Sequence, residues 1–122
     1  MNVAFLFAGA VAVAGGLAYS YLGERLILIS LFRQRDLPRT PFGDDIFTRH
    51  LLRGAWHFFA IMVWTAGGLL LALAPATLEG SAQIAVRIVA GYFAAFAVVV
   101  LVLSRGRHFA WLLGSAIAAS AW

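Results

Sequence analysis

The sequence predicts an all-α integral membrane protein, a four-helix bundle with both termini on the outer side, on three observations. Four long apolar stretches fill most of the 122 residues, nearly every charge lies between them, and arginines crowd two of the three connections. Hydrophobic residues make up 63% of the chain and charged residues 11%, a balance far from that of soluble domains. A helix crosses the hydrocarbon core with about 20 apolar residues at roughly 1.5 Å each. The spans fall at about residues 3–22, 51–74, 84–104 and 107–122, with a cytoplasmic connection at about 33–45, all within one transmembrane domain over 1–122.

The first span begins at Val3. Its start carries no basic residue and its apolar run exceeds that of an ordinary signal peptide, so it reads as a retained helix. After Leu22 the sequence Gly23-Glu24-Arg25 leads into Leu26-Ile27-Leu28-Ile29-Ser30-Leu31-Phe32 with no breaker before Leu37-Pro38. A helix continuing to Phe32 is therefore expected, longer than a membrane core requires. Pro38, Pro41 and Gly43 mark a loop, and Asp44 or Asp45 is a fitting N-cap for a second helix that runs to about Leu73. The two form an antiparallel hairpin whose cytoplasmic end projects beyond the lipid. The third span is uninterrupted. The fourth, apolar from Phe109 to Trp122, offers about 14 residues, roughly 21 Å, and suits packing against other helices better than standing alone.

Orientation follows from arginine placement. The first connection holds Arg25, Arg33, Arg35, Arg39 and Arg49, the third holds Arg105 and Arg107, and the second holds Glu79 and no basic residue. The positive-inside rule places the first and third in the cytoplasm. The net charge of +4 belongs to these topogenic arginines and to anionic lipid, not to nucleic acid. With no cysteine, disulfides and thiolate metal sites are excluded.

Small residues mark contact faces: Gly9, Ala12 and Gly16 on the first helix, Gly67 and Gly68 on the second, and Ala110, Gly114 and Ala118 on the fourth. The polar residues gather at one end. Glu24 and Arg25 close the first span, and His50, Arg53 and His57 form one stripe beside Trp56. Arg105, Arg107 and His108 lead into the fourth helix ahead of Trp111. Ionisable groups at membrane depth are costly and face protein or water.

Three readings suit this layer. It is a structural clamp in which Glu24 pairs with Arg53 or Arg105 and His57 bonds within the protein. Alternatively, His57 and His108 ligate haem b, with arginines on the propionates. Or Trp56, His57, His108, Trp111 and the arginines line a pocket for a quinone or lipid headgroup. Transport is a further alternative: a four-helix chain of this size resembles the small multidrug resistance transporters, which use a membrane-embedded glutamate, whereas Glu24 stands at the end of its span. A Ser104–His57–His108 site is not supported by spacing, and Asp44-Asp45 reads as a helix cap. Phosphate loops, nucleophile elbows and HExxH motifs are absent from the sequence, so an enzyme is not expected.

Leu22-Gly23-Glu24-Arg25-Leu26, Leu37-Pro38-Arg39-Thr40, Leu52-Arg53-Gly54-Ala55-Trp56-His57 and Ser104-Arg105-Gly106-Arg107-His108 with Trp111 resemble a group of small, uncharacterised four-helix bacterial inner-membrane proteins. The chain has Tyr19-Ser20-Tyr21 where that group places a histidine, and Phe109 where it places a proline. The resemblance implies the topology and a bacterial inner-membrane location. It highlights Glu24, Trp56, His57 and His108, and it brings no activity. Together these readings make the chain an accessory or assembly subunit whose partners are membrane lipid and other membrane subunits or its own copies.

Overall fold

Four helical rods account for the regular structure in the computed structural model, which describes residues 1–34, 37, 44–77 and 79–122. Helix α1 (Val3–Leu22) passes into a π-helical segment (Gly23–Leu28) and then α2 (Ile29–Phe32), forming one rod over Val3–Phe32. Helices α3 (Asp45–Leu73), α4 (Ser81–Ser104) and α5 (Ala110–Ala121) follow, and no strand occurs among the described residues. The first three rods, of 30, 29 and 24 residues, are long and apolar enough to cross a membrane. At 12 residues, α5 is not. Its rise of about 18 Å falls short of the roughly 30 Å core. The fourth stretch is helical as expected, over Ala110–Ala121, after the turn that ends at Phe109. Pro38, Pro41 and Gly43, with Arg35 and Arg39, lie outside the described residues.

Local chemistry sets the helix ends. The Asn2 carboxamide oxygen accepts from the N–H groups of Ala4 and Phe5 at 3.0 and 3.3 Å, capping α1. Asp44 caps α3 by accepting from Phe47 N–H at 2.9 Å. Helix α4 ends in a Schellman turn: Gly106 N–H bonds Leu101 O at 2.9 Å and Arg105 N–H bonds Val102 O at 3.2 Å. Arg105 takes the left-handed position at φ 50°, ψ 40°. That conformation costs a side-chain-bearing residue about 1–2 kcal/mol, which is why glycine is usual there. His108 Nδ1 then accepts from Ala110 N–H at 3.2 Å at the start of α5.

The chain divides into two compact units. One comprises Met1–Ala14 with Thr65–Trp122. Its core holds Phe5, Ala8 and Ala12 of α1, Leu70 of α3, Val86, Ala90, Phe93 and Ala97 of α4, and Ile117 and Ala121 of α5. Steps of three and four along α4 place its buried residues on one face. A Cβ on Gly67 would lie 2.9 Å from Ala12 Cβ and 3.0 Å from Gly9 O, so glycine permits this close helix approach. Gly114 likewise rests on Phe93, Phe96 and Ala97, whereas Gly68 has no neighbour within 4 Å of its would-be Cβ.

The other unit is the hairpin Gly15–Trp64. Gly16 receives the indole of Trp64, 2.5 Å from where a Cβ would stand, and Gly23 receives that of Trp56 at 2.1 Å. Two tryptophans on α3 thus fill two glycine sockets seven residues apart. The π segment begins at the second socket. Its wider turns are seen in the bond from Ile29 N–H to Glu24 O, five residues back. Trp56 Nε1 donates to Tyr19 O at 3.3 Å, drawing on a helix carbonyl one turn before the segment. Trp56 therefore packs against the helix ladder where the π segment starts.

Candidate functional site: a polar chain across the hairpin

Two i, i+4 pairs face each other in the hairpin unit, Ser20 and Glu24 on the first rod and Arg53 and His57 on α3. Arg53 grips the carboxylate with two nitrogens, Nη2 to Oε1 at 2.8 Å and Nε to Oε2 at 3.2 Å. Fork-to-carboxylate pairing of this kind is geometrically selective. His57 Nε2 reaches Glu24 Oε2 at 3.3 Å, and His57 Nδ1 meets Ser20 Oγ at 2.8 Å. A carboxylate held by arginine only accepts, so Nε2 donates toward Glu24. In the neutral imidazole Nδ1 then accepts from the Ser20 hydroxyl, and in the imidazolium it donates to it. The result is a continuous chain Ser20–His57–Glu24, closed by Arg53.

The surroundings hold this chain in place. The Tyr19 and Trp56 rings stack at 4.7 Å with an interplanar angle of 4°. The Arg53 guanidinium also lies 5.1 Å over the Phe32 ring. One turn earlier on α3, Arg49 pairs with Asp45 at 2.8 Å and donates to the carbonyls of Phe32 and Gln34, tying the far end of the first rod to α3. Glu24, Arg53 and His57 keep 27%, 44% and 36% of their side-chain surface exposed, so the polar chain is only partly covered by the hairpin.

The residues singled out in the sequence separate into two sets. Glu24, Arg53, Trp56 and His57 come together in the hairpin unit. Arg25 faces outward there, its Nε 3.4 Å from Tyr21 OH, and His50 is exposed. Arg105, Arg107, His108 and Trp111 belong to the other unit, in and beside the α4–α5 turn. Trp111 Nε1 donates to Gly106 O at 3.4 Å. Among the described residues, Glu24 is bonded to Arg53 and not to Arg105. Both nitrogens of His57 are engaged, so a haem iron would have to displace Ser20 or Glu24 to bind it. No group of three or more His, Asp or Glu side chains among the described residues is placed to hold a metal ion.

Sequence reasoning missed Ser20, Gly23 and the Arg49 anchor. Two signals were present: Ser20 stands four residues before Glu24 on the same face, and Gly9, Gly16 and Gly23 recur every seven residues. No family model, curated protein or solved structure matches this chain.

Proposed function

We propose that this chain is a multi-pass protein of a bacterial inner membrane that serves as an accessory or assembly subunit, joined to a larger membrane complex or to its own copies. The observation that carries this reading is how polar and apolar groups divide in the hairpin. Glu24, Arg53, His57 and Ser20 are directed at one another, while large apolar side chains such as Leu17, Leu26, Phe58 and Ile61 are exposed. Only 28%, 17% and 22% of the residues in the most apolar stretches of the three long rods are buried inside the protein. In a bilayer, faces of this kind meet lipid or neighbouring helices. The internal clamp fixes the shape of the hairpin and leaves its flanks to the surroundings.

In this reading the connections bearing Arg33 and Arg105–Arg107 face the cytoplasm and both termini lie outside. The short α5 completes its crossing against neighbouring helices or thinned lipid. The chain then belongs with the small four-helix inner-membrane group that it resembles. Photo-crosslinking groups at Phe58 and Leu112 in intact membranes test the proposal. Discrete adducts with one membrane protein or with a second copy are expected; adducts with lipid alone would sink it.

A second reading, proton-coupled transport with Glu24 as the coupling group, is favoured by the continuous Ser20–His57–Glu24 chain. Substrate flux unchanged in Glu24→Gln would remove it. Electron transfer through haem b or quinone at His57 and His108 has less support, since both His57 nitrogens are occupied. A reduced-minus-oxidised absorbance spectrum with sharp α and β bands would restore it.

A further inference from the structure

The α4–α5 pair carries an open groove of about 330 Å³, walled by Ala94, Ala97 and Leu101 on one side and Trp111 and Ala118 on the other. Apart from the Ser115 hydroxyl its lining is apolar. From Ala94 to Leu101 it runs about 10 Å along the helix. Small residues (Ala94, Ala97 and Ala118) give it room along its length for an extended hydrocarbon chain.

One end of the groove lies at the α4–α5 turn. Leu101 is one turn before Arg105, and Trp111 is tied to the Gly106 carbonyl. Arg107 N–H donates to Ser104 O at 3.1 Å and His108 N–H to Ser104 Oγ at 3.3 Å, so the turn is ordered by its own backbone. Arg105 and Arg107 are exposed, and neither side chain has a hydrogen bond, ion pair or ring contact with any described residue. This differs from Arg49 and Arg53, whose guanidinium groups are both held within the protein.

Arg105 is the more telling of the two. Its left-handed backbone at φ 50° is a place where glycine would serve the turn better, and Gly106 follows at φ 76°. An arginine held against that preference, with no partner in its own chain, fits a role for its charge outside the chain. We propose that this groove binds an anionic phospholipid, with one acyl chain between α4 and α5 and the phosphate between the guanidinium groups of Arg105 and Arg107. Guanidinium forks match phosphate oxygens, and Trp111 sits at the polar–apolar boundary such a ligand requires.

The test uses the full chain in neutral detergent doped with phosphatidylglycerol or phosphatidylcholine, read by native mass spectrometry and thermal unfolding. Phosphatidylglycerol is retained preferentially by the unaltered chain. Arg105→Gly melts higher than the parent in lipid-free detergent, because the turn is relieved, yet its phosphatidylglycerol retention falls about five-fold. Ala118→Phe, which fills the groove and keeps both arginines, also loses the preference, whereas attraction to a merely basic surface would survive it. Equal retention of the two lipids by the parent overturns the proposal. So does undiminished preference in Arg105→Gly or Ala118→Phe, or retention of a quinone or a second copy in place of the lipid.

Discussion

At the scale of single residues, Gly23 shows most directly how the hairpin is specified. A methyl group there would stand 2.1 Å from Trp56 Nε1, inside the indole itself. Alanine is the better helix former by about 1 kcal/mol. Overpacking costs about 1–3 kcal/mol, and a rigid ring has little room to yield, so the clash wins. Gly23→Ala is therefore expected to destabilise the protein in detergent unfolding, and the penalty is expected to vanish in a Trp56→Ala background. An equal penalty in both backgrounds would show that Gly23 matters for its backbone and not as a socket. The Glu24–Arg53 pair is smaller in effect. It is partly exposed and screened, so a cycle of Glu24→Gln and Arg53→Gln is expected to give a coupling of about 1 kcal/mol that shrinks with added salt. A coupling near zero at low salt would mean that the clamp adds no stability.

At the scale of elements, the π segment governs which residues meet α3. Buried positions on the first rod step by three or four residues through Phe5, Ala8, Ala12 and Gly16, but five separate Gly23 from Leu28. The wider turn accommodates one extra residue between the Trp56 socket and the Phe32–Arg49 anchor. Deleting Leu26, which is exposed, should convert this segment to ordinary α-helix and leave both ends in register. Deleting Leu17, also exposed but within regular helix, should rotate Ser20, Gly23 and Glu24 away from α3 by about 100°. Comparing the melting of the two deletions checks this, and equal damage would count against a local π insertion. The sequence announces the rods and their caps well, because long apolar runs and Asp44 act locally. It announces the π segment not at all: residues 23–28 have ordinary helical composition, and the Trp56 packed at its start lies 33 residues beyond Gly23. Ser20 escaped notice for a similar reason, since only the facing rod reveals that its hydroxyl has an imidazole to bond. The start of α5 was not legible either, because apolarity marks a stretch without saying where its first helical residue falls.

At the scale of the whole molecule, arginine placement and rod length make separate claims on topology. Single cysteines in this cysteine-free chain distinguish them. A cysteine at Gln34 is expected to react with an impermeant reagent only after the membrane is opened, and one at Glu79 in intact cells. A cysteine at Trp122 reports whether α5 crosses: labelling in intact cells means four crossings, and protection means three. Membership in an assembly is tested by the mass of the particle released from native membranes by mild detergent. This 13.1 kDa chain is expected in fixed stoichiometry with a membrane partner or with further copies of itself. A lone 13.1 kDa chain, from membranes whose complexes are unchanged when it is deleted, would contradict it.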